Sequence, residues 1–459
     1  MKNILNNNKD FLVKLITIAS PIVIQNFITS SLNFLDLFMI GQLGENEIAA
    51  VGIGSQVYFI YQMFIFSLAS GVSIFVAQYW GRKEIKNVYR ILGIGLSFIF
   101  SIATIFTLIV LMLTNEIASI YSDNIEVIEL SSAYMRIISL SFIIYGISYL
   151  YSSILKSTEN VRFPVIASLI AILTNSILNY FLIYGKLCFP KLGVSGAAIA
   201  TVISRILEFT ILITGSYIKK YPTIAPFKII FDFTKTDVIE YSRKTIPIIG
   251  QCMRWTLGSN MYSVIYSNMS IEAFASYNIA ISVQNICLTI FTSLGIACSI
   301  MVGNKIGANE NDRARNYSVN FIAISVLLSL IISLMVIQLR VYIVGFYNLD
   351  DITKEYLYRL LLVIAGFLMV RAVNIIFMIG ILKAGGDTMF SMLVDVGGIW
   401  IVGVPLAAFF AFYLRLNVYY VMAYAGIEEI VKMFTCSYRF FKNRWLKSLT
   451  LQGNLPQNN

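Results

Sequence analysis

Apolar residues run along this chain in long stretches separated by short polar breaks. Twelve stretches are long enough for a helix of about 20 residues to cross the ~30 Å hydrocarbon layer of a bilayer. They fall at residues 12–40, 47–79, 91–114, 134–155, 165–185, 194–217, 246–267, 271–302, 317–339, 356–381, 391–414 and 418–440. The second and eighth exceed 30 residues, which predicts tilt or extension into a loop. The first ten residues are polar and the first stretch runs too long for a leader, so a first transmembrane helix is expected and not a cleavable signal.

Composition turns this pattern into a class. Of 459 residues, 58% are apolar and 13% charged, and the mean hydropathy is +0.77. A soluble chain carries about twice that charge, so the reading is an all-α integral membrane protein. Histidine is absent, which removes His-based nucleophiles, metal sites and proton relays. Cys188, Cys252, Cys287, Cys298 and Cys436 form no CxxC pair, and no GxxxxGK[ST] phosphate loop is present. A membrane-embedded enzyme or receptor would need a catalytic constellation that this chain lacks. No cofactor is expected.

The net charge of +10 raises the question of nucleic acid, but its placement answers it. With the N-terminus inside, 23 of the 34 Lys and Arg fall in cytoplasmic segments, seven outside and four within spans. Basic loops stay cytoplasmic, so both termini are expected there and no nucleic-acid partner is implied.

A shift of 226 residues aligns Pro21 with Pro247, Gln25 with Gln251, Ser67-Leu68 with Ser293-Leu294 and Gly81 with Gly307. One residue further, Ile154-Leu155-Lys156 aligns with Ile381-Leu382-Lys383. Six spans separate each pair, and an even number preserves orientation, so the expectation is two parallel, pseudo-symmetric six-helix lobes. These are an N-lobe at 1–217, a cytoplasmic linker at 218–245, a C-lobe at 246–440 and a cytoplasmic tail at 441–459. Such halves suit alternating access.

Six motifs follow one another along the chain. They are Ala19-Ser20-Pro21 with Gln25 and Asp36, Gly41-Gln42-Leu43-Gly44, and Ala49-Ala50-Val51-Gly52. Leu192-Gly193-Val194-Ser195-Gly196-Ala197-Ala198-Ile199-Ala200-Thr201, Val302-Gly303-Asn304-Lys305-Ile306-Gly307-Ala308 and Leu382-Lys383-Ala384-Gly385-Gly386-Asp387-Thr388 complete the set. Each is weak alone, but together they cover nearly the whole chain in order, and with them the chain resembles the multidrug and toxic compound extrusion (MATE) family of cation-coupled efflux transporters.

A carboxylate in hydrocarbon costs at least ~2.5 kcal/mol, so each intramembrane acid needs a partner or a purpose. Asp36, in the outer part of the first span, has no basic residue within four positions. It reads either as an interfacial Asp solvated near the surface or as a cation or proton acceptor that changes charge state as access alternates. Asn175, Asn179 and Thr201 lie at similar depth, and their oxygens suit a hard cation or a network around a protonated carboxyl. The two asparagines also read as helix–helix hydrogen bonds. The resemblance implies that Asp36, Asn175, Asn179 and Thr201 form the N-lobe site for H⁺ or Na⁺. Asn179 departs from relatives that carry a second acid, which suggests coupling of one charge.

Pro21 interrupts the backbone ladder of the first helix and can bend it. The resemblance implies that this bend is coupled to Asp36 protonation. Arg205 with Glu208 and Glu428 with Lys432 have helical spacing for local neutralisation. Arg371 has no local acid and should face a cavity or a distant carboxylate such as Asp395. Asp36 aligns with Tyr262 in the repeat, and Cys252 stands where many relatives carry an acid, so carboxylate chemistry is expected mainly in the N-lobe. Gln25, Tyr145, Tyr149, Trp255, Gln284 and Arg371 are expected to face a substrate cleft.

The function expected is therefore secondary active efflux, exchanging H⁺ or Na⁺ for small amphipathic, often cationic, organic compounds across the cytoplasmic membrane, with a monomer as the working unit. The alternative is a lipid-linked oligosaccharide flippase of related two-lobe architecture, which would favour a strongly basic cleft and more helices.

Overall fold

The computed structural model describes residues 2–186, 189–347 and 349–449, without the side chains of 2–9, Ser30, Asn33, Phe34, Leu37, Phe227, Arg254 and Trp255. Among the described residues every regular element is helical. The first half holds α1 (Lys2–Gly41), α2 (Glu45–Gly81), α3 (Ile85–Met112), α4 (Ile125–Ser139), α5 (Phe142–Ser157), α6 (Arg162–Tyr184) and α7 (Gly193–Ile218). The second holds α8 (Lys235–Ser267), α9 (Ile271–Gly307), α10 (Asn311–Phe346) and α11 (Asp351–Ile375), which runs on through a π-helical stretch to Ala384. It ends with α12 (Thr388–Gly397), extended by further helical turns to Tyr413, then α13 (Val418–Ala425) and α14 (Ile427–Phe441).

Each of the twelve apolar stretches lies on helix. By length and composition nine described helices can cross a membrane, or ten when α4 and α5, bent by 49°, count as one span. The helix pair α13 and α14 is not among them. The reason is visible in α14, where Glu428, Glu429 and Lys432 crowd one and a half turns.

Helix ends follow local chemistry. The Asn124 side chain accepts from the Glu126 N–H to cap α4, Ser270 accepts from Ala273 to cap α9, and Asp350 accepts from Thr353 to cap α11. Gly185, at φ +66°, closes α6 in the left-handed conformation. Inside the helices, hydroxyls such as those of Ser97, Thr174 and Ser204 bond back to carbonyls four residues earlier, which satisfies them without water.

The chain divides into two compact units. The first comprises Leu12–Ser242, and the second comprises Arg243–Leu449 together with the start of the chain through Phe11. In the first, Tyr241 is fully buried and donates to the Leu68 carbonyl at 2.9 Å, while Arg90 on α3 pairs with Asp232 at 2.9 Å. In the second, Phe11 is buried edge-on against Tyr317 and Phe321, and the Tyr317 hydroxyl donates to Asp10 at 3.2 Å.

The repeat in the sequence returns as repeated backbone geometry. Lys83 and its counterpart Asn309 have φ of +62° and +58°, and Glu159 and its counterpart Gly386 have +63° and +67°. Left-handed residues are uncommon away from glycine, so two matched pairs mark two matched turns. Pro21 and Pro247 likewise both lie inside helices, α1 and α8.

Candidate functional site

α6 and α7 pack closely enough that a Cβ on Gly196 would lie 2.6 Å from the Leu182 carbonyl oxygen. That approach is open only to glycine, and it brings the next turn of α7, with Thr201, against the Asn175 turn of α6. Asn175 and Asn179 share one face because they are four residues apart. The C-terminal end of α1 is held against α6, since the Tyr184 hydroxyl donates to the Met39 carbonyl at 2.8 Å.

Asp36 therefore meets the residues expected of it. The Asn179 amide donates to its Oδ1 at 2.9 Å. Turning the Asn175 amide nitrogen towards Asp36 places it 3.1 Å from Oδ2, and the Asn175 oxygen then accepts from the Thr201 N–H at 3.2 Å. The opposite orientation would set the amide oxygen against a carboxylate, which is repulsive. Asn175 and Thr201 side chains are 3.3 Å apart, and Thr201 donates to Ala197 at 3.0 Å.

No basic side chain pairs with Asp36 among the described residues, so its charge is met by neutral dipoles, the amides of Asn179 and Asn175 and the nearby Ser176 hydroxyl. Asn179 is 2% exposed, and its Oδ1 has no partner among the described residues. A buried amide oxygen left open beside a carboxylate is a donor set for a hard monovalent cation or for a proton held in a hydrogen-bond network. No group of three or more Cys, Asp or Glu suited to a metal occurs among the described residues.

The remaining expected residues fall in two places. In the first unit, Pro21 lies in α1 one turn before Gln25, whose Oε1 accepts from Lys156 Nζ at 3.1 Å. Tyr145 and Tyr149 are neighbours at 5.8 Å between ring centroids, and the Arg205 guanidinium sits 4.9 Å from the centre of the Tyr145 ring. Arg205 and Glu208 pair at 2.8 Å, as their spacing predicts. In the second unit, Arg371 bonds to Gln284. The Trp255 side chain is not among those described, and Cys188 lies outside the described residues.

Two expectations are corrected in the second unit. The carboxylate near Arg371 is Glu429, at 3.7 Å, and not Asp395, which pairs with Lys432 at 3.2 Å. Buried acids are also not confined to the first half. Asp395, Glu428 and Glu429 gather with Lys432 and Arg371, with Lys432 3.7 Å from Glu428 and Asn374 donating to Glu429 at 2.8 Å. Helical spacing governs contacts within one helix, and α12 and α14 become neighbours only in the fold. Two adjacent acids beside one lysine on α14 were the available sign that more cations must come from elsewhere.

Known proteins share this fold. The family model MatE matches residues 21–181 and 247–409, well over half of the chain, and the two matches begin at the paired prolines. A Bacillus subtilis (strain 168) protein described as "Probable multidrug resistance protein YoeA" is 26% identical over 415 residues, 87% of this chain and 86% of that one. A Thermotoga maritima protein described as "Probable multidrug resistance protein NorM" is 23% identical over 450 residues, 95% and 94% of the two chains. Among solved structures, the Vibrio cholerae MATE transporter VcmN in the bent form superposes with a TM-score of 0.87 at 14% identity, covering 96% of this chain and all of that one. The eukaryotic MATE transporter AtDTX14 gives 0.82 at 19% identity, covering 96% and 98%. Two matched halves, an all-helical fold with repeated turns and full-length likeness to these proteins have one reading: the chain belongs to the MatE family of multi-pass membrane transporters and is not an enzyme.

Proposed function

We propose that this transporter exports amphipathic organic compounds by exchange for H⁺ or Na⁺, with Asp36 as the coupling carboxylate. The observation that carries this reading is the hydrogen-bonding of Asp36 by two amides and by no cation. A carboxylate balanced only by dipoles keeps its affinity for a mobile cation, whereas a salt-bridged one would have lost it. Asn175, Asn179 and Thr201 complete the site, and the open Asn179 oxygen is the position for a Na⁺ ligand or a proton-bearing partner. Either ion is cargo and not a resident cofactor. One elementary charge crossing a potential of ~150 mV supplies about 3.5 kcal/mol, enough for a substrate gradient of a few hundredfold.

The proposed topology has twelve spans with both termini cytoplasmic, supported by the clustering of Lys and Arg in alternate loops. It comprises an N-lobe at 1–217, a linker at 218–245, a C-lobe at 246–440 and a tail at 441–459, acting as a monomer in the cytoplasmic membrane. Alternating access would bend α1 at Pro21 as Asp36 gains or loses its cation. Gln25, Tyr145, Tyr149, Trp255, Gln284 and Arg371 are the proposed cleft side chains. The names of the relatives, as multidrug resistance proteins, support small organic substrates.

The test is efflux of a lipophilic dye from proteoliposomes with Na⁺ and proton gradients imposed separately. One gradient should drive export by the wild type and fail to drive it through Asp36→Asn. Export by Asp36→Asn equal to wild type would overturn the assignment.

A further inference from the structure

The first unit holds a second polar locus on α1, distinct from Asp36. Gln25 and Asp36 are eleven residues apart, three helical turns, so they share a face about 16 Å apart along the axis. On α5, Tyr145, Tyr149 and Lys156 follow spacings of four and seven and also share one face. Lys156 reaches across to α1, donating to the Gln25 amide oxygen at 3.1 Å. All four side chains stay partly exposed, so the surface they form is open to a ligand.

Charge decides what that surface prefers. Arg205, over the Tyr145 ring, already has its counter-ion in Glu208 at 2.8 Å. Lys156 has no ion pair among the described residues, and an amide dipole is its one hydrogen-bond partner there. Two cations against one acid leave this part of the unit with a surplus positive charge in a low-dielectric setting. Such a charge attracts an anionic oxygen and repels a second cation by more than it would in water. Because Asp36 lies three turns away, an acidic group here would not compete with the coupling ion.

We propose that Lys156, seated by Gln25, is a specificity-determining residue that takes the carboxylate of an aromatic amphiphile whose ring lies against Tyr145 and Tyr149. The preferred substrates are then zwitterionic or anionic aromatic compounds, ahead of permanently cationic analogues. This rests on the efflux reading above and names the substrate class for it.

Two xanthene dyes that share one aromatic body, a free-carboxylate form and its methyl ester, isolate the charge. Their equilibrium binding to the purified full-length protein is read by fluorescence polarisation, separately from transport, so that loss of gradient-driven export bears on the efflux reading and not on charge selection. The wild type should favour the carboxylate dye, and Lys156→Gln should lose about tenfold of that preference, the scale of one charge-assisted hydrogen bond, while binding the ester within about twofold of wild type. Lys156→Arg should keep the preference, because it retains the charge. Equal affinity of the wild type for both dyes, no binding of the carboxylate dye, or an unchanged preference in Lys156→Gln would each overturn the proposal.

Discussion

Asn179 donates its amide to the Asp36 carboxylate at 2.9 Å while its own Oδ1, buried with the rest of the side chain, has no partner among the described residues. The amide thus holds the carboxylate in place with one atom and leaves the other available.

This predicts opposite outcomes for two substitutions. Asn179→Leu removes the donor and the open oxygen, and loss of a hydrogen bond to a charged group, about 1.5–3 kcal/mol, should cut gradient-driven export by tenfold or more. Asn179→Asp adds a second acid beside Asp36. The ion-to-substrate ratio, measured from the membrane-potential dependence of the steady-state gradient, should rise above that of the wild type. An unchanged ratio would show that position 179 does not set the coupled charge.

Gly196 sets the distance between α6 and α7, with a Cβ there falling 2.6 Å from the Leu182 carbonyl. Gly196→Ala should cost about 1–3 kcal/mol through forced separation of the helices. Thermal unfolding in detergent should show the loss, and export should fall with it as Thr201 moves from Asn175.

The ionic cluster of the second unit should behave as a structural element. Lys432 lies 3.2 Å from Asp395 and 3.7 Å from Glu428, and all three are buried. Lys432→Met strands two carboxylates and should destabilise by about 3–5 kcal/mol. Lys432→Met combined with Asp395→Leu should recover a large part of that loss, because the pair is removed together. A double variant no more stable than Lys432→Met would refute the coupling.

Asp387, in the turn between α11 and α12, is 5% exposed and accepts from Arg439 at 2.7 and 3.1 Å and from Lys447 at 2.9 Å. Burial alone would push its carboxyl up, but the hydrogen bonds and charges of Arg439 and Lys447 outweigh burial and hold it below the usual carboxylate range. A carboxylate lowered in the folded state adds stability that is present above the ordinary Asp value of about 3.9 and lost as pH falls through the folded value. Asp387→Asn should therefore destabilise at pH 7 by about 1–3 kcal/mol, and the gap from wild type should narrow as the medium is acidified below about pH 4. A gap that stays constant with pH would show that ionisation of Asp387 is not its source. The same turn seats the buried Trp445, whose carbonyl oxygen lies 1.8 Å from where a Gly385 Cβ would be, so Gly385→Ala should also loosen the tail.

Much of the first unit's site was legible beforehand. An acid without a nearby base in an apolar helix, and two asparagines one turn apart, are local features, and helical periodicity alone places the latter on a common face. Arg205 with Glu208 is legible for the same reason, because helical spacing fixes which side chains of one helix can touch. Arg371 was not, since its carboxylate sits on α14, 58 positions further along the chain. The sequence pattern puts Lys156 in a cytoplasmic loop, yet it lies in the last turn of α5 and reaches α1.

The sequence by itself determined that the chain is helical, apolar enough for a membrane, doubled, and supplied with one unpartnered acid near its start. These follow from composition, period and spacing, which act within single helices. Only the tertiary structure decided that Asn179 and Asn175 meet Asp36, that Lys156 meets Gln25, and that three acids and two cations gather in the second unit. Those meetings depend on which helix faces pack together, and that is set by close approaches such as Gly196 against Leu182, whose effect appears only once two helices are side by side.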